Sequence, residues 1–264
     1  NQAVCCAKLG AKVQFIGKMG DDVFRDSLVK GMKRDGVDLR YCSFDSSSST
    51  GIALITVEES GENEIVVISG SNMKLRPSDI RKRSNAFAAA SVVLLQLETP
   101  LETIIEAARL SRRYGAITLL NPAPGKRLPV RLLRVLDYLT PNETEIELMT
   151  GMKVRDRHTA VIAAKKLLRI GVSNVIITMG AKGCLLVSAE EVRMFPSYRV
   201  RAVDTTAAGD AFSGAFAFSL SRGDSKHEAI RFANAVAACA VTSMGAQNSM
   251  PTMAELKRFI AQQK

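Results

Sequence analysis

A run of small residues that ends in a carboxylate stands just before an apolar helical stretch. It has the sequence DTTAAGD (204–210) and lies between the β-rich run 198–203 and the helical pattern 211–220. A helix that begins there leaves backbone N–H groups unpaired, and with the positive end of its dipole these groups bind phosphate-like anions. Asp210 would stand at the mouth of this site as a general base. An anion pocket beside a base predicts phosphoryl transfer to an alcohol.

The same residues have a second interpretation. Small residues before a helix also permit close packing, and Asp is a common helix-capping residue. An isolated Asp-x-x-x-x-Gly-Asp pattern does not decide between the two, so the decision rests on other motifs of the chain.

Length and composition restrict the class of protein. The 264 residues, 47% of them hydrophobic, suffice for one large domain. The net charge of +10 comes from basic residues spread along the chain, which favours a mild attraction for ATP-like anions over nucleic-acid binding. Five cysteines without CxxC spacing predict reduced thiols. With no apolar run of membrane-spanning length and no visible secretory signal, we expect a cytoplasmic protein that does not bind membranes.

Strand-like and helical patterns alternate from residue 86 onward. The predicted strands are 91–97, 117–120, 138–140, 174–178, 183–188 and 192–196. The predicted helices are 100–114, 130–136, 143–150, 159–170, the one after Gly209, 226–243 and 253 to the end. This alternation predicts an α/β fold with three αβα layers around a mostly parallel, Rossmann-like sheet. Such sheets bind ligands beyond the carboxyl ends of their strands, where Glu98, Asn121, Asn142 and Thr178 fall.

Residues 50–57 and 64–69 alternate differently, around a turn at 61–63, and predict a β-hairpin inserted at about 50–69 of the single domain 1–264. One interpretation is a surface hairpin without a special role. Its exposed apolar face would then be a liability, which favours a covered face instead.

The segment DTTAAGDAFSGAF (204–216) resembles the C-terminal signature of the ribokinase-like (PfkB) carbohydrate kinases. Most of that family has Gly at the position of Ala207, whereas its ribokinase branch often has Ala. Further motifs match the family in order and spacing along nearly the whole chain. They are NQAVCCAKLGAKVQFIGKMGDDVF (1–24), LLQLETP (94–100), NPAP (121–124), TPNETE (140–145), ITMGAKG (177–183) and VTSMGAQNSMP (241–251).

The resemblance implies transfer of a phosphoryl group from ATP to O5 of D-ribose. Asp210 would take the proton from the sugar hydroxyl, and the N–H groups of Ala207, Ala208 and Gly209 would hold the charge that develops on the phosphoryl group. Asn1, Glu98 and Asp210 would bind the sugar, since amides and carboxylates hold hydroxyls in fixed directions.

For the nucleotide, the resemblance implicates Asn142, Asn234, Gly209, Asp210 and a loop after a strand. The residues of this loop are Thr178, Met179, Gly180, Ala181, Lys182 and Gly183. Glu145 would help to organise Mg²⁺ near the phosphates. Spacing alone fits a helix cap with an acidic first turn equally well for Asn142 and Glu145.

The family also implies a K⁺ site beside the anion pocket, held largely by backbone oxygens. The matching positions are Asp204, Thr206, Ala240, Ser243, Gly245 and Ser249. The hairpin would close over the sugar as a lid and pair two subunits in a homodimer.

The sequence starts at Asn1 in the middle of the N-terminal family signature. The family's GGKGA run, its first strand, an early sugar-binding Asp and further lid strands would precede it. If they are absent from the protein, we expect weak or no kinase activity; if they exist upstream, a complete sugar site can form. Two other functions stay open: a different PfkB sugar kinase, such as a deoxyribokinase or fructokinase, and a catalytically silent sugar- or nucleotide-binding relative.

Overall fold

A computed structural model of the protein describes residues 1–57 and 63–263. The turn predicted at 61–63 lies outside these residues, apart from Asn63. The helices are α1 (Gln2–Lys8), α2 (Val23–Arg34), α3 (Pro77–Arg81), α4 (Ser84–Ala88), α5 (Leu101–Arg113), α6 (Val130–Leu133), α7 (Glu143–Thr150), α8 (Arg157–Ile170), α9 (Ala208–Ser221), α10 (Lys226–Ala240) and α11 (Met253–Gln262). The strands are β1 (Val13–Gln14), β2 (Lys18–Gly20), β3 (Val37–Asp38), β4 (Ser43–Asp45), β5 (Ile52–Val57), β6 (Asn63–Ile68), β7 (Val92–Leu95), β8 (Ile117–Leu120), β9 (Tyr138–Leu139), β10 (Asn174–Thr178), β11 (Cys184–Ser188) and β12 (Val192–Phe195).

A six-stranded sheet in the order β12-β11-β10-β9-β8-β7 forms the centre of the fold. The strands β7 to β10 are parallel, and β11 and β12 continue the sheet as an antiparallel hairpin. The mostly parallel sheet is therefore confirmed. Its parallel strands all end on one side, which collects the loops that follow β7, β8, β9 and β10.

Two apolar cores cover the two faces of this sheet. Neighbouring residues on a strand point to opposite faces, so Leu119 packs into one core and Leu120 into the other. The first core contains apolar residues of α1, α9 and α10, and the second contains those of α7 and α8. These are the three αβα layers that the alternating pattern predicts.

The hairpin of β5 and β6 is antiparallel, with Ile52 opposite Ile68 and Leu54 opposite Val66. This confirms the predicted pairing of residues 50–57 with 64–69. Leu54, Val66, Val67 and Ile68 are each about half exposed, so apolar side chains of the hairpin face solvent in the single chain.

Several predicted bounds differ from the structure by one or two residues at an end, and three segments differ more. Residues 198–203 form no strand: the N–H groups of Val203 and Asp204 both donate to the Val241 carbonyl (2.8 and 3.2 Å), which ties this segment to the end of α10 instead of a sheet. Helix α6 ends at Leu133, because the chain must turn to bring the Asp137 N–H to the Thr118 carbonyl in β8. Helix α10 ends at Ala240, and residues 241–243 close it in a turn.

Within the described residues, no helix combines the length and the apolar character that crossing a bilayer requires.

Candidate active site

The backbone at the start of α9 adopts the conformation that the small-residue motif suggests. Ala207, which precedes the helix, has φ 60° and ψ 15°, and it is the only non-glycine residue with positive φ among those described. No described acceptor pairs with the N–H groups of Ala207, Gly209 or Asp210. The Ala208 N–H donates to the Thr205 carbonyl at 3.2 Å. It is therefore paired in this structure, whereas the sequence analysis expects it to hold the charge on the phosphoryl group. Three unpaired amides at a helix N-terminus can receive an anion.

Asp210 lies in the first turn of α9, and two amide side chains of the chain's first residues hold its carboxylate. Asn1 Nδ2 donates to Oδ2 at 2.8 Å, and Gln2 Nε2 donates to Oδ1 at 2.8 Å. The structure thus brings together Asn1 and Asp210, two of the three predicted sugar ligands. Both sit beside the unpaired amides.

Gln2 is a site residue that the sequence analysis missed. Its side chain is buried, and it also donates to Asn121 Oδ1 (3.0 Å) and accepts from Gln96 Nε2 (2.5 Å). A signal was present in the sequence: Gln2 stands three and four positions before Cys5 and Cys6, so a helix places it on the same face as these apolar residues. A polar residue on a buried helix face requires hydrogen-bond partners.

Glu98 follows β7 and lies close enough to Asp210 to feel its charge. Desolvation by the surrounding protein raises the pKa of the Glu98 carboxyl, and the negative charge of Asp210 raises it further. Part of the side chain stays exposed, as a residue that receives a ligand requires. The third predicted sugar ligand therefore faces the same cleft as the other two.

Glu145 approaches this cleft from α7. Asn142 caps the helix: its Oδ1 accepts from the Glu145 N–H (2.7 Å), and Glu145 Oε2 accepts from the Asn142 N–H (2.8 Å). The Glu145 side chain is also buried, and this burial raises the pKa of its carboxyl, with a further contribution from the charge of Asp210. No described group donates to Oε1, so this oxygen is available to a metal ion or to its water ligands.

The predicted nucleotide loop lies beside Asn142, because Thr178 and Asn142 form a parallel bridge. Residues Gly180–Lys182 form an exposed 3-10 turn, whereas the Met179 side chain is buried in the second core and could contribute only backbone atoms. Gly183 has φ 95°, and a Cβ there would lie 2.0 Å from the Phe195 carbonyl oxygen. This position accepts only glycine because the loop passes so close to β12.

Asn234 is buried in α10, although a polar residue in an otherwise Ala-rich helical stretch would usually be exposed. Its Nδ2 donates to the carbonyls of Phe195 (3.3 Å) and Pro196 (3.2 Å). In this structure the side chain ties α10 to the end of β12. Contact with the adenine stays a prediction.

Asp204 organises the predicted cation loop. Its Oδ1 accepts from the Thr206 N–H (2.8 Å) and its Oδ2 from the Gly245 N–H (2.9 Å). A hydrogen bond from the Thr206 side chain, together with those from the Gly245 and Thr206 N–H groups, lowers the pKa of the Asp204 carboxyl. The Ala240 carbonyl, at the C-terminal end of α10, accepts from the Ser243 N–H (3.1 Å), and Ser249 Oγ donates to the Ala246 carbonyl (2.9 Å). The loop joins Asp204, Thr206 and Gly245 directly, and both Asp204 carboxylate oxygens and the Ala240 carbonyl already accept hydrogen bonds.

Groups of three or more His, Cys, Asp or Glu side chains with metal-binding geometry are absent from the part of the chain that the structure describes.

Comparison with known proteins identifies the family. The profile of the pfkB family carbohydrate kinases matches residues 1–253. A ribokinase of Haemophilus influenzae is 42% identical over 260 residues, which are 98% of this chain and 85% of that protein. A deoxyribokinase of Salmonella typhi is 37% identical and covers 99% of this chain and 86% of its own length. The structure of Arabidopsis thaliana ribokinase complexed with ribose and ATP superimposes with a TM-score of 0.92 at 32% identity, over 98% of this chain and 85% of that one.

The match extends over the sheet, both helical layers and the cleft that contains Asp210, Glu98 and Glu145. It confirms the resemblance that the motifs indicate and the fold that follows from it. The chain belongs to the pfkB family of carbohydrate kinases.

Proposed function

We propose that this chain transfers the terminal phosphoryl group of ATP to O5 of D-ribose. The observation that carries the proposal is the Asp210 carboxylate, held by two amide side chains next to three unpaired N–H groups at the start of α9. The ribokinase relatives and the related structure with ribose and ATP support ribose and ATP as the substrates.

The reaction follows from this arrangement. Asp210 accepts the proton of the sugar hydroxyl. At the same time the hydroxyl oxygen forms a bond to the γ-phosphorus, and the bond between that phosphorus and the bridging oxygen breaks, which releases ADP. The unpaired N–H groups of Ala207, Gly209 and Asp210 would hold the charge that develops on the phosphoryl oxygens. Asn1 and Glu98 orient the sugar beside the base.

Glu145 supports Mg²⁺ in this proposal. Its buried carboxylate has a free oxygen, and it lies at the same edge of the sheet as the anion site. When bound, the ion neutralises charge on the phosphates. The cost of burying a carboxylate is understandable if a cation accompanies it in the working enzyme.

A K⁺ site formed by the loops at 204–206 and 240–249 is a further part of the proposal. The negatively charged Asp204 and the C-terminal end of α10, with its partial negative charge, favour a cation here. The test is the rate in KCl compared with the rate in an equal concentration of tetramethylammonium chloride, for the parent and for Asp204→Asn. A rate that is equal in both salts contradicts the K⁺ site.

We also propose that the protein is cytoplasmic. All five cysteines are free thiols, which fits the reducing cytoplasm.

Asp210→Asn tests the central proposal, because the amide keeps the shape of the side chain and cannot act as a base. We expect the rate of ADP release with ribose to fall roughly a hundredfold to ten-thousandfold. ATP affinity should change little. Asp26→Asn, the same change on an exposed face of α2, is the matched control. Near-parent activity of Asp210→Asn would contradict the proposed base.

The deoxyribokinase relative keeps a second function open. A panel of ribose, 2-deoxyribose and fructose in the same assay separates the sugar kinases. A preference for 2-deoxyribose or fructose would replace ribose as the substrate and leave the role of Asp210 intact.

A further inference from the structure

A chain of amide side chains, buried at Gln2 and Asn121 and partly buried at Gln96, connects Asp210 to the ends of three sheet strands. Gln2 Nε2 donates both to Asp210 Oδ1 (2.8 Å) and to Asn121 Oδ1 (3.0 Å), and Gln2 Oε1 accepts from Gln96 Nε2 (2.5 Å). Asn121 Nδ2 donates in turn to the Thr140 carbonyl (3.0 Å). We propose that Gln2 is a positioning residue for the reaction, which fixes the Asp210 carboxylate through this amide relay. The inference rests on the proposed role of Asp210 as the base.

The relay determines the orientation of every amide in it. The Thr140 backbone oxygen can only accept, so the Asn121 amide must present its nitrogen there and its oxygen to Gln2. Gln2 must then present its nitrogen to Asn121, and the second hydrogen of that nitrogen goes to Asp210. Reversal of the Gln2 amide would place its oxygen against two other oxygens.

The relay is anchored in the rigid part of the fold. Gln96, Asn121 and Thr140 each directly follow a strand, β7, β8 and β9, at the edge of the sheet where the cleft lies. Helix α1 contributes Gln2, and α9 contributes Asp210. The position of the carboxylate is therefore coupled to the sheet and does not depend on α9 alone.

The two carboxylate oxygens consequently have different roles. Oδ1 is held by the buried Gln2, whereas Oδ2 is held by Asn1, which is exposed to the cleft. Oδ2 is the oxygen that the sugar can approach, and we assign the proton of the sugar hydroxyl to it.

Packing alone does not require an amide at position 2. A buried amide is costly unless all of its hydrogen bonds are made, and an apolar side chain of similar size would fill the contact between α1 and the sheet without that requirement. The fully paired amide that reaches Asp210 is instead what positioning requires.

The test combines Gln2→Met and Gln2→Glu with Asp210→Asn in a double-mutant cycle. Met has a similar size and no donor; Glu keeps the acceptor for Gln96 but cannot donate when ionised. We expect kcat with ribose to fall roughly tenfold to a hundredfold in both single variants, since a misplacement of about 1 Å costs on the order of a hundredfold. KM for ATP should stay within about twofold. Gln14→Met, on an exposed residue of β1, is the control.

The cycle separates positioning from a general structural role. If Gln2 acts through Asp210, its substitution has little further effect on kcat in the Asp210→Asn background. Equal losses of kcat in both backgrounds, or kcat within about twofold of the parent in both single variants, would overturn the inference. If thermal unfolding shows that a Gln2 variant is not folded, Gln96→Leu replaces it in the cycle. Gln96 is only partly buried, and it donates to Gln2 at the far end of the relay.

The outcome for Asp210→Asn alone distinguishes this inference from the proposed function. Near-parent activity of that variant would rule out Asp210 as the base. A large loss of kcat in Asp210→Asn, with kcat unchanged in the Gln2 variants, would support Asp210 as the base and rule out only the positioning role of Gln2.

Discussion

Asn142 and Glu145 cap each other at the start of α7, and the carboxylate that completes this cap is buried. The reciprocal bonds of 2.7 and 2.8 Å are those of a capping box. Such caps normally lie in solvent, where the carboxylate is inexpensive to keep ionised. Burial of Glu145 raises its pKa, so this residue costs more than a cap requires. Glu145 therefore caps α7 and can also serve the proposed Mg²⁺ site. Its burial is the feature that capping alone does not explain.

Glu145→Gln should lower activity and stabilise the protein free of ligands. Glutamine keeps the capping bond, but it loses the negative charge near Mg²⁺, and we expect kcat/KM to fall roughly tenfold to a hundredfold. For a carboxyl whose pKa is raised by folding, the contribution to stability is full below the pKa of the unfolded chain and is lost as pH rises through the folded-state pKa. The gain in Tm of the variant over the parent should therefore increase from pH 4 toward pH 7.

The matched control is Glu143→Gln, in the same helical turn but less buried. It should show little change in activity and no comparable pH-dependent gain. A Glu145→Gln protein that is less stable than the parent at pH 7 would contradict the inference that the buried charge destabilises the parent.

Ala207→Gly should stabilise the protein. Ala207 has φ 60°, where the Cβ of an L-residue is crowded, at a cost of about 1–2 kcal/mol. Glycine removes this cost but adds entropy to the unfolded chain, so we expect a net gain of a few tenths to about 1 kcal/mol. Thermal unfolding measures it. Activity should be retained, because the backbone N–H is unchanged.

Ala208→Gly is the control for this change. Ala208 is the first residue of α9 with ordinary helical backbone, so the same substitution there should be neutral or destabilising. Equal effects at both positions would contradict strain at Ala207.

We expect the hairpin of β5 and β6 to mediate a homodimer. Leu54 and Val66 are opposite each other on β5 and β6 and are each about half exposed in the single chain. Leu54→Lys with Val66→Lys should shift the molecular mass measured by sedimentation from dimer to monomer, because a charge on an apolar contact face opposes association. Val130→Lys, at an exposed apolar residue of α6, should leave the mass unchanged. A parent that sediments as a monomer at micromolar concentration contradicts the dimer.

From residue 86 onward the alternating pattern was sufficient for the mostly parallel sheet and for the helices between its strands, because most of these strands are short apolar runs. The bounds of β8, β10 and α7 are as predicted. The sequence pattern could not predict hydrogen bonds between residues that are far apart in the chain. The bond of Gln2 to Asp210, for example, joins residues 208 positions apart. A residue pattern gives the types of groups at a site, whereas the pairing of these groups depends on the assembled fold.

Gly214→Ala should impair activity although this residue makes no contact with the reacting groups. A Cβ at Gly214 would lie 2.8 Å from the Gln2 carbonyl oxygen and 2.9 Å from Cys5 Cβ, both on α1. Helix α1 must therefore move away from α9, and Asn1 and Gln2, which hold the Asp210 carboxylate, move with it. We expect a loss of roughly 1–3 kcal/mol in stability, as for other overpacked contacts, together with a lower kcat.

Gly31→Ala separates this contact from the general effect of alanine in a helix. Gly31 lies in α2 with no atom within 4 Å of an added Cβ, so its substitution should stabilise the protein by about 0.5–1 kcal/mol. Thermal unfolding and steady-state kinetics on both variants provide the comparison. If Gly214→Ala gains stability as Gly31→Ala does and retains kcat, the close packing of α1 on α9 does not position the base.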